Sequence, residues 1–373
     1  MKKLTLILLC SLMFAGQRAW SRVTLPTHFT SNMVLQQKTT LNIHGTARPG
    51  SQVTLVTGWN KKGVSAQASP TDGKFTLTIQ TPKGGQKPYT MTFSDGEETT
   101  LENVLIGEVW LGSGQSNMEM PLKGWGKVLN YEEEIANAKY PMIRLLQVKK
   151  RTNVKPQEQV ELTMDGWQEC SPQTVENFSA LCYFYALRLW EELKIPVGVI
   201  DDDWGGTPVE AWTRAEALQY VTGFEEQAGK MISSGYSPEA MTAYYESIPQ
   251  EKRNRNHDVN YYKHATGLFN AMIHPLIEFP VRGIIWYQGC DNVGRAAQYQ
   301  AAFQTMITDW RKCWNNPTMP FYFVQLANFL QPSDLQPESQ WALLRESQAD
   351  ALCLPNTGMV TNIDLGDAQD IHP

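Results

Sequence analysis

Four short blocks of this 373-residue chain hold residues whose types could carry out acyl chemistry. The first, Gly112-Ser113-Gly114-Gln115-Ser116-Asn117-Met118, follows the apolar run Val104 to Leu111, so its serines and glycines fall at the end of a strand. A tight turn there presents a hydroxyl at the start of a helix, where backbone N–H groups face a developing anion. The second block, Asp201-Asp202-Asp203-Trp204-Gly205-Gly206-Thr207, has paired glycines that let a backbone N–H come close to a substrate. In the third, Trp286-Tyr287-Gln288-Gly289-Cys290-Asp291-Asn292, an asparagine amide offers another oxyanion donor, and the fourth ends the sequence with Asp370-Ile371-His372-Pro373. An alcohol is a weak nucleophile until a neighbouring base takes its proton, so a serine and a histidine must meet in space. Ser116 and His372 are the expected pair. His28 and His44 lie in a β-rich region, His257 in a polar stretch, and His264 and His274 ahead of a strand, and each is read as structural. Met118 stands where the nucleophile elbow of α/β-hydrolases requires a second glycine, which argues against that fold.

Positioning these blocks requires strands that end together. Buried apolar runs alternate with helical periods after Leu105, the pattern of a parallel sheet wrapped by helices. Phe178, Leu181, Cys182, Tyr185, Leu189 and Leu193 recur at helical spacing before the strand Val197 to Ile200. The strand Ile284 to Tyr287 is followed by a helix face of Tyr299, Phe303, Ile307, Trp310 and Trp314, and then by the strand Phe321 to Leu326. A helix around Trp341 to Ala351 and a strand from Met359 to Ile363 complete the series. Ahead of Leu105, short alternating runs (Leu41 to Ile43, Val53 to Val56, Phe75 to Ile79, Tyr89 to Phe93) are broken by Arg48-Pro49-Gly50, Asp72-Gly73 and Lys83-Gly84-Gly85, which predicts a small antiparallel β-sandwich. The expected organisation is a leader over 1–21, a β-sandwich over 22–104 and an α/β domain over 105–373. A polar, locally helical insertion at about 223–260 carries the charged stretch Glu251 to Arg255.

The bulk properties narrow the function classes. A single core rarely grows past roughly 250–300 residues, so two modules are expected. Hydrophobic residues make up 42% of the chain, enough for a sizeable interior, and a mean hydropathy of -0.37 excludes a polytopic membrane protein. With a formal charge of -6 there is no basic field to gather phosphate backbones, so nucleic acid is not an expected partner. Lys2 and Lys3, the apolar run Leu4 to Ala15 and small residues at Ala19 and Ser21 read as an export signal cleaved near Ser21, giving a periplasmic or extracellular protein with no membrane span in its mature form. Leu9 stands where a lipoprotein signal wants a small residue before Cys10. Beyond Cys10, the cysteines at 170, 182, 290, 313 and 353 are odd in number and lack zinc-like spacing. One or two disulfides remain open, and no metal or organic cofactor is expected.

In this order, the four blocks resemble the SGNH hydrolase superfamily and, within it, the sialate O-acetylesterase family with its related acetylxylan esterases. Ser31-Asn32-Met33-Val34-Leu35-Gln36, Gly107-Glu108-Val109-Trp110, Glu210-Ala211-Trp212-Thr213 and Asn270-Ala271-Met272-Ile273 extend the likeness over most of the chain. The resemblance implies a three-layer parallel sheet flanked by helices, Ser116 as nucleophile and His372 as general base. It also implies an oxyanion hole from the Ser116 N–H, Gly206 (or its neighbour Gly205) and Asn292, and a pocket shaped by Gln288, Trp204, Trp286 and Tyr287. Where the family often has a glutamate after Gln-Gly, this chain has Cys290. Where the superfamily places aspartate three residues before the histidine, this chain has Gln369; Asp370, two residues before, is the alternative third member, and a dyad steadied by a backbone carbonyl fits equally well. Relatives usually continue into a further helix, so a fragment lacking its C-terminal helix is expected.

The implied substrate is an O-acetylated carbohydrate, sialic acid first and acetylated plant polysaccharide such as xylan second. Two other readings stand beside it. A retaining glycosidase would need two carboxyls about 5–5.5 Å apart, with Glu108, Glu119 and Asp291 as candidates. A non-catalytic carbohydrate-binding protein would use the β domain and the 12 tryptophans for stacking. The sequence leaves the oligomeric state open.

Overall fold

A computed structural model describes residues 22–249, 258–335 and 338–372. The expected leader, His257 and Glu251 to Arg255 lie outside the described residues. In chain order the elements are β1 (Val34–Gln36), β2 (Thr40–Thr46), β3 (Gln52–Thr57), β4 (Asn60–Gln67), β5 (Lys74–Gln80), β6 (Gly85–Ser94) and β7 (Glu98–Gly114). There follow α1 (Ser116–Glu119), α2 (Tyr131–Asn137), β8 (Tyr140–Gln147), β9 (Gln168–Cys170), α3 (Pro172–Val175), α4 (Ala180–Leu193) and β10 (Val197–Asp203). The remainder are α5 (Ala215–Leu218), α6 (Glu225–Ser233), α7 (Pro238–Ser247), β11 (Gly283–Tyr287), α8 (Ala296–Cys313), β12 (Phe321–Val324), α9 (Gln340–Ala349) and β13 (Thr357–Val360).

The core of the molecule is a sheet in the order β13-β12-β11-β7-β10-β8, parallel throughout, with β9 added antiparallel at one edge. Helices cover both faces of such a sheet, so its inner strands are buried along their whole length, as β10 and β11 are. The N-terminal strands behave differently. Along β5 exposed and buried residues alternate strictly, with Phe75, Leu77 and Ile79 pointing inward, the sign of a sheet wetted on one face. β2 pairs with β5, while β3, β4 and β6 form antiparallel pairs that lead into β7.

The two regions share one strand. The first half of β7 pairs with β6 and the second half with β10 and β11, so the expected boundary at 104/105 falls inside a continuous strand. β1 pairs with β7 at Leu105 to Gly107 and ties the segment around Met33 to the same strand. The polar stretch after Gly223 forms α6 and α7, which bury Ala228, Met231, Met241 and Tyr245 against the rest of the molecule. The five described cysteines are all free thiols, which removes the one or two disulfides left open by the sequence. Among the described residues no helix is long and apolar enough to cross a membrane, and no group of three or more metal-ligating side chains is placed to hold an ion.

Candidate active site

The chain leaves β7 for β10 and β8 on one side and for β11, β12 and β13 on the other. In open α/β sheets a crevice forms beyond the carboxyl ends of the strands where the winding reverses in this way. Register brings three of the four sequence blocks to that level. Gly112, Ser113 and Gly114 pair with Asp201, Asp202 and Asp203 on one side and with Ile285, Trp286 and Tyr287 on the other.

The turn after β7 is held by close backbone contacts. Gly114 has a φ of +144°, and a Cβ there would lie 2.2 Å from the carbonyl oxygen of Tyr287, so no larger residue fits. Gln115 fixes the turn to the β11 loop: its N–H donates to the Tyr287 carbonyl (2.9 Å) and its Oε1 accepts from the Gly289 N–H (3.0 Å). Ser116 then opens α1, half-buried, while Ser113 is fully buried within β7. Across the crevice, a Cβ on Gly205 would stand 3.2 Å from the Ser116 Cβ, so glycine permits the two loops to touch. The Gly205 N–H donates to Glu119 Oε2 (2.5 Å), and Glu119 is also paired with Lys150. The next N–H, that of Gly206, has no hydrogen bond among the described residues, and neither has that of Ser116. Gly206 rather than Gly205 is therefore the backbone donor open to a ligand.

The fourth block crosses the crevice from the far end of the chain. His372 Nε2 lies 2.9 Å from Ser116 Oγ. On the other side of the ring, Nδ1 is 3.3 Å from Asp370 Oδ1, which also accepts the His372 backbone N–H at 2.9 Å. Lys127 Nζ reaches the second Asp370 oxygen at 2.6 Å. That bond, followed by the one from the His372 N–H, holds the Asp370 carboxyl below the usual carboxylate range. An ionised Asp370 favours the tautomer with the proton on Nδ1, which leaves Nε2 free to accept the serine proton. Asn117 Nδ2 donates to the Ile371 carbonyl (2.9 Å) and anchors the terminal loop, while the Trp125 ring packs edge-on against the imidazole with centroids 5.3 Å apart.

The remaining expected site residues divide. Asn292 is a correction, since it is 1% exposed and its amide faces inward. Its Nδ2 donates to Glu210 Oε2 (2.9 Å), and its Oδ1 accepts from the Val209 N–H (3.0 Å) and from Gln288 Nε2 (2.7 Å). A buried carboxylate such as Glu210 needs donors, and Asn292 with Arg295 supplies them. Gln288 is also a correction: it is fully buried, and its amide also donates to the Thr207 carbonyl (3.0 Å). Tyr287 is a third, buried with its hydroxyl accepting from Asn362 Nδ2 (2.9 Å), and Trp286 lies fully in the core. Trp204 is half-buried beside Gly206 and stacks on Tyr262, with centroids 5.1 Å apart and planes 15° from parallel.

Of the glycosidase carboxyls, Glu108 binds Gln36 and Gln37 at the amino end of the sheet, Glu119 is tied to Gly205 and Lys150, and Asp291 pairs with Lys263. The other described histidines have settled surroundings. His28 is buried among Phe29 and Phe279, where burial pushes its pKa down to about 3; His44 pairs with Glu278, His264 stacks on Tyr245, and His274 bonds the Gln157 carbonyl. Sequence reasoning gave no role to Gln115, Asn117, Trp125 or Lys127. The first two flank Ser116 in the same motif and were within reach, whereas nothing local marks Lys127, whose partner is 243 positions away.

A doubly wound sheet with a serine, an imidazole and a carboxylate lined up at its reversal point defines a serine hydrolase. The family model for the carbohydrate esterase, sialic acid-specific acetylesterase, matches residues 248–372. The solved structure of a carbohydrate acetylesterase from Xanthomonas citri is 33% identical, covers 94% of this chain and 71% of its own, and superposes with a TM-score of 0.77. The sialate O-acetylesterase of Homo sapiens is 27% identical over 97% of this chain and 70% of the relative, and that of Rattus norvegicus is 28% identical over 93% and 69%. The chain belongs to the carbohydrate acetylesterase family.

Proposed function

We propose that the protein is exported and removes O-acetyl groups from sialic acid through an acetyl-enzyme formed on Ser116. The observation that carries this reading is the 2.9 Å contact between His372 Nε2 and Ser116 Oγ, with Asp370 behind the ring. Ser116 Oγ attacks the acetyl carbonyl as Nε2 takes its proton. The N–H groups of Ser116 and Gly206 hold the oxyanion, each donor of this kind contributing roughly 10²–10³-fold in rate. His372 then returns the proton to the departing sugar oxygen, the C–O bond breaks, and acetate remains esterified to Ser116. Water deprotonated by Nε2 attacks this ester, and collapse of the second intermediate releases acetate and restores the serine.

Sialic acid is favoured by the matching family model and by the names of the mammalian relatives. Acetylated plant polysaccharide is the second substrate class, because the Xanthomonas citri relative is described as a carbohydrate acetylesterase without a named sugar. Acetate release from mono-O-acetylated N-acetylneuraminic acid and from acetylated xylo-oligosaccharides tests the choice. Faster release from the sialic acid is expected. Faster release from the xylo-oligosaccharide would move the substrate to the second class, and glycan binding without acetate release would remove the catalytic reading.

A further inference from the structure

A cavity of about 440 Å³ opens beside the serine and histidine, lined by Glu119, Trp125, Gln147, Lys149 to Arg151, Thr163, Asn177, Asp201 and Asp203. Its volume falls within the range of about 300–1,000 Å³ usual for small-molecule sites. Two of its walls belong to the active centre: Glu119 lies three residues after Ser116, and the Trp125 ring rests against His372. A larger cavity of about 640 Å³ is lined by residues of β2 and β5 and by His274 to Glu278, and shares no residue with the surroundings of Ser116.

We propose that this smaller cavity is the subsite for a sugar ring of the acetylated glycan, with Trp125 as the stacking face and Asp201 and Asp203 as acceptors for ring hydroxyls. The inference rests on the ester-hydrolase reading and adds how the alcohol half of the ester is held.

Three features point to it. Trp125 is 48% exposed and sits at a φ of +61° between Gly124 and Gly126. A bulky residue adopts that backbone at a cost of roughly 1–2 kcal/mol, which is maintained where the surrounding structure needs the side chain aimed in one direction. An exposed indole over a polar cleft offers an apolar face to the C–H side of a pyranose. The second feature is the floor. Asp201 and Asp203 stand two apart on β10 and so share a face, both are buried and both line the cavity, and Asp201 Oδ1 and Asp203 Oδ2 are enclosed, with no partner among the described residues but the neighbouring carboxyl. Burial is the main reason both carboxyls titrate above the usual range, and their mutual contact adds to the effect for Asp203. One proton shared between the carboxyls satisfies these enclosed oxygens, and a sugar hydroxyl donates instead to the carboxyl edges that line the cavity.

The third feature is the rim. Lys150 pairs with Glu119, while Lys149 and Arg151 share Glu161, so three cations meet two acids and the rim keeps one positive charge beyond its pairs. The rim therefore accommodates a sugar that carries a carboxylate as well as a neutral one.

The test compares kcat/KM for the acetylated glycan that the wild type deacetylates faster with kcat/KM for p-nitrophenyl acetate, which has no sugar. Trp125→Ala removes the stacking face, and Thr163→Trp fills the mouth of the cavity from its exposed side, giving up only the Thr163 hydroxyl bond to Gln147. Both variants are compared with wild type by melting temperature, and Asp203→Asn is added if it folds. The glycan-to-aryl ratio is expected to fall at least tenfold in W125A and T163W, chiefly through KM. A ratio within twofold of wild type in both variants, or in T163W a parallel loss on both substrates, overturns the subsite; W125A, whose ring rests against His372, is read by the ratio alone. Failure of the wild type to release acetate from any glycan while still cleaving p-nitrophenyl acetate overturns instead the carbohydrate reading on which the subsite rests.

Discussion

The loops that follow β10 and β11 both adjoin the turn bearing Ser116, yet they solve opposite problems. Beyond β11, Gln288, Asn292, Glu210 and Arg295 form a closed network in which a buried carboxylate is met by an amide and a guanidinium. At the end of β10, three consecutive aspartates are buried, most of their oxygens have no hydrogen-bond partner among the described residues, and two of the three, Asp201 and Asp203, line the cavity. A satisfied network fixes geometry, whereas acids left unmatched beside a cavity cost stability and wait for a ligand. The first side therefore orients the crevice, and the second is where substrate enters.

The largest effect expected from breaking this contrast is on the closed side. Asn292→Ala strips a donor from Glu210 and an acceptor from Gln288 and the Val209 N–H. It should lower stability by about 3 kcal/mol or more, read as a fall in denaturant midpoint at unchanged m. On the open side Glu119 holds the Gly205 N–H and so aims Gly206. Glu119→Ala should reduce kcat/KM about tenfold, equivalent to roughly 1.4 kcal/mol, while Glu119→Gln, which keeps an acceptor, restores most of it. Equal losses in both variants would show that the charge, not the hydrogen bond, matters.

Asp202 sharpens the comparison through pH. Both its oxygens are unpaired, and burial, then Asp201, raises its pKa well above the ordinary carboxylate value. The native chain therefore holds a proton that the unfolded chain gives up, so stability falls as pH rises above the unfolded pKa of about 3.9. Asp202→Asn removes that loss, and its gain in melting temperature over wild type should be at least about 2 °C larger at pH 8 than at pH 5. A gain independent of pH would mean that Asp202 is already ionised in the native chain at pH 5. The smallest effect is expected at Lys127, whose pair with Asp370 is about one-third exposed on both sides. Exposed, solvent-screened pairs contribute little, so Lys127→Ala should slow acetate release no more than about fivefold.

What the sequence made legible follows the same division. Ser116, His372 and Asp370 sit in motifs whose residue types have few other uses together, and the strands ending at Leu111, Ile200 and Tyr287 announce themselves by buried apolar runs. Those runs also misled. The oxygens and amides of Gln288, Tyr287 and Asn292 lie just past a strand end, where a polar residue can turn outward to ligand or inward to a buried carboxylate, and no local pattern distinguishes the two. Glu210, which draws Asn292 inward, is 82 positions away. The passage of β7 through the expected boundary was hidden for a related reason: Glu98 to Asn103 is mostly polar because that part of the strand is partly wetted, and the same strand becomes mostly apolar and buried once helices cover it. β4 is exposed over most of its length and carries almost no periodic signal.

The pairing of Ser116 with His372 is tested most directly by labelling with a fluorophosphonate, which reacts only with an activated serine hydroxyl, followed by peptide mapping. Wild type and Ser113→Ala should carry the label on Ser116, Ser116→Ala should carry none, and His372→Ala should label at least a hundredfold more slowly. Undiminished labelling of His372→Ala, or modification of a serine other than Ser116 in the wild type, would contradict the account.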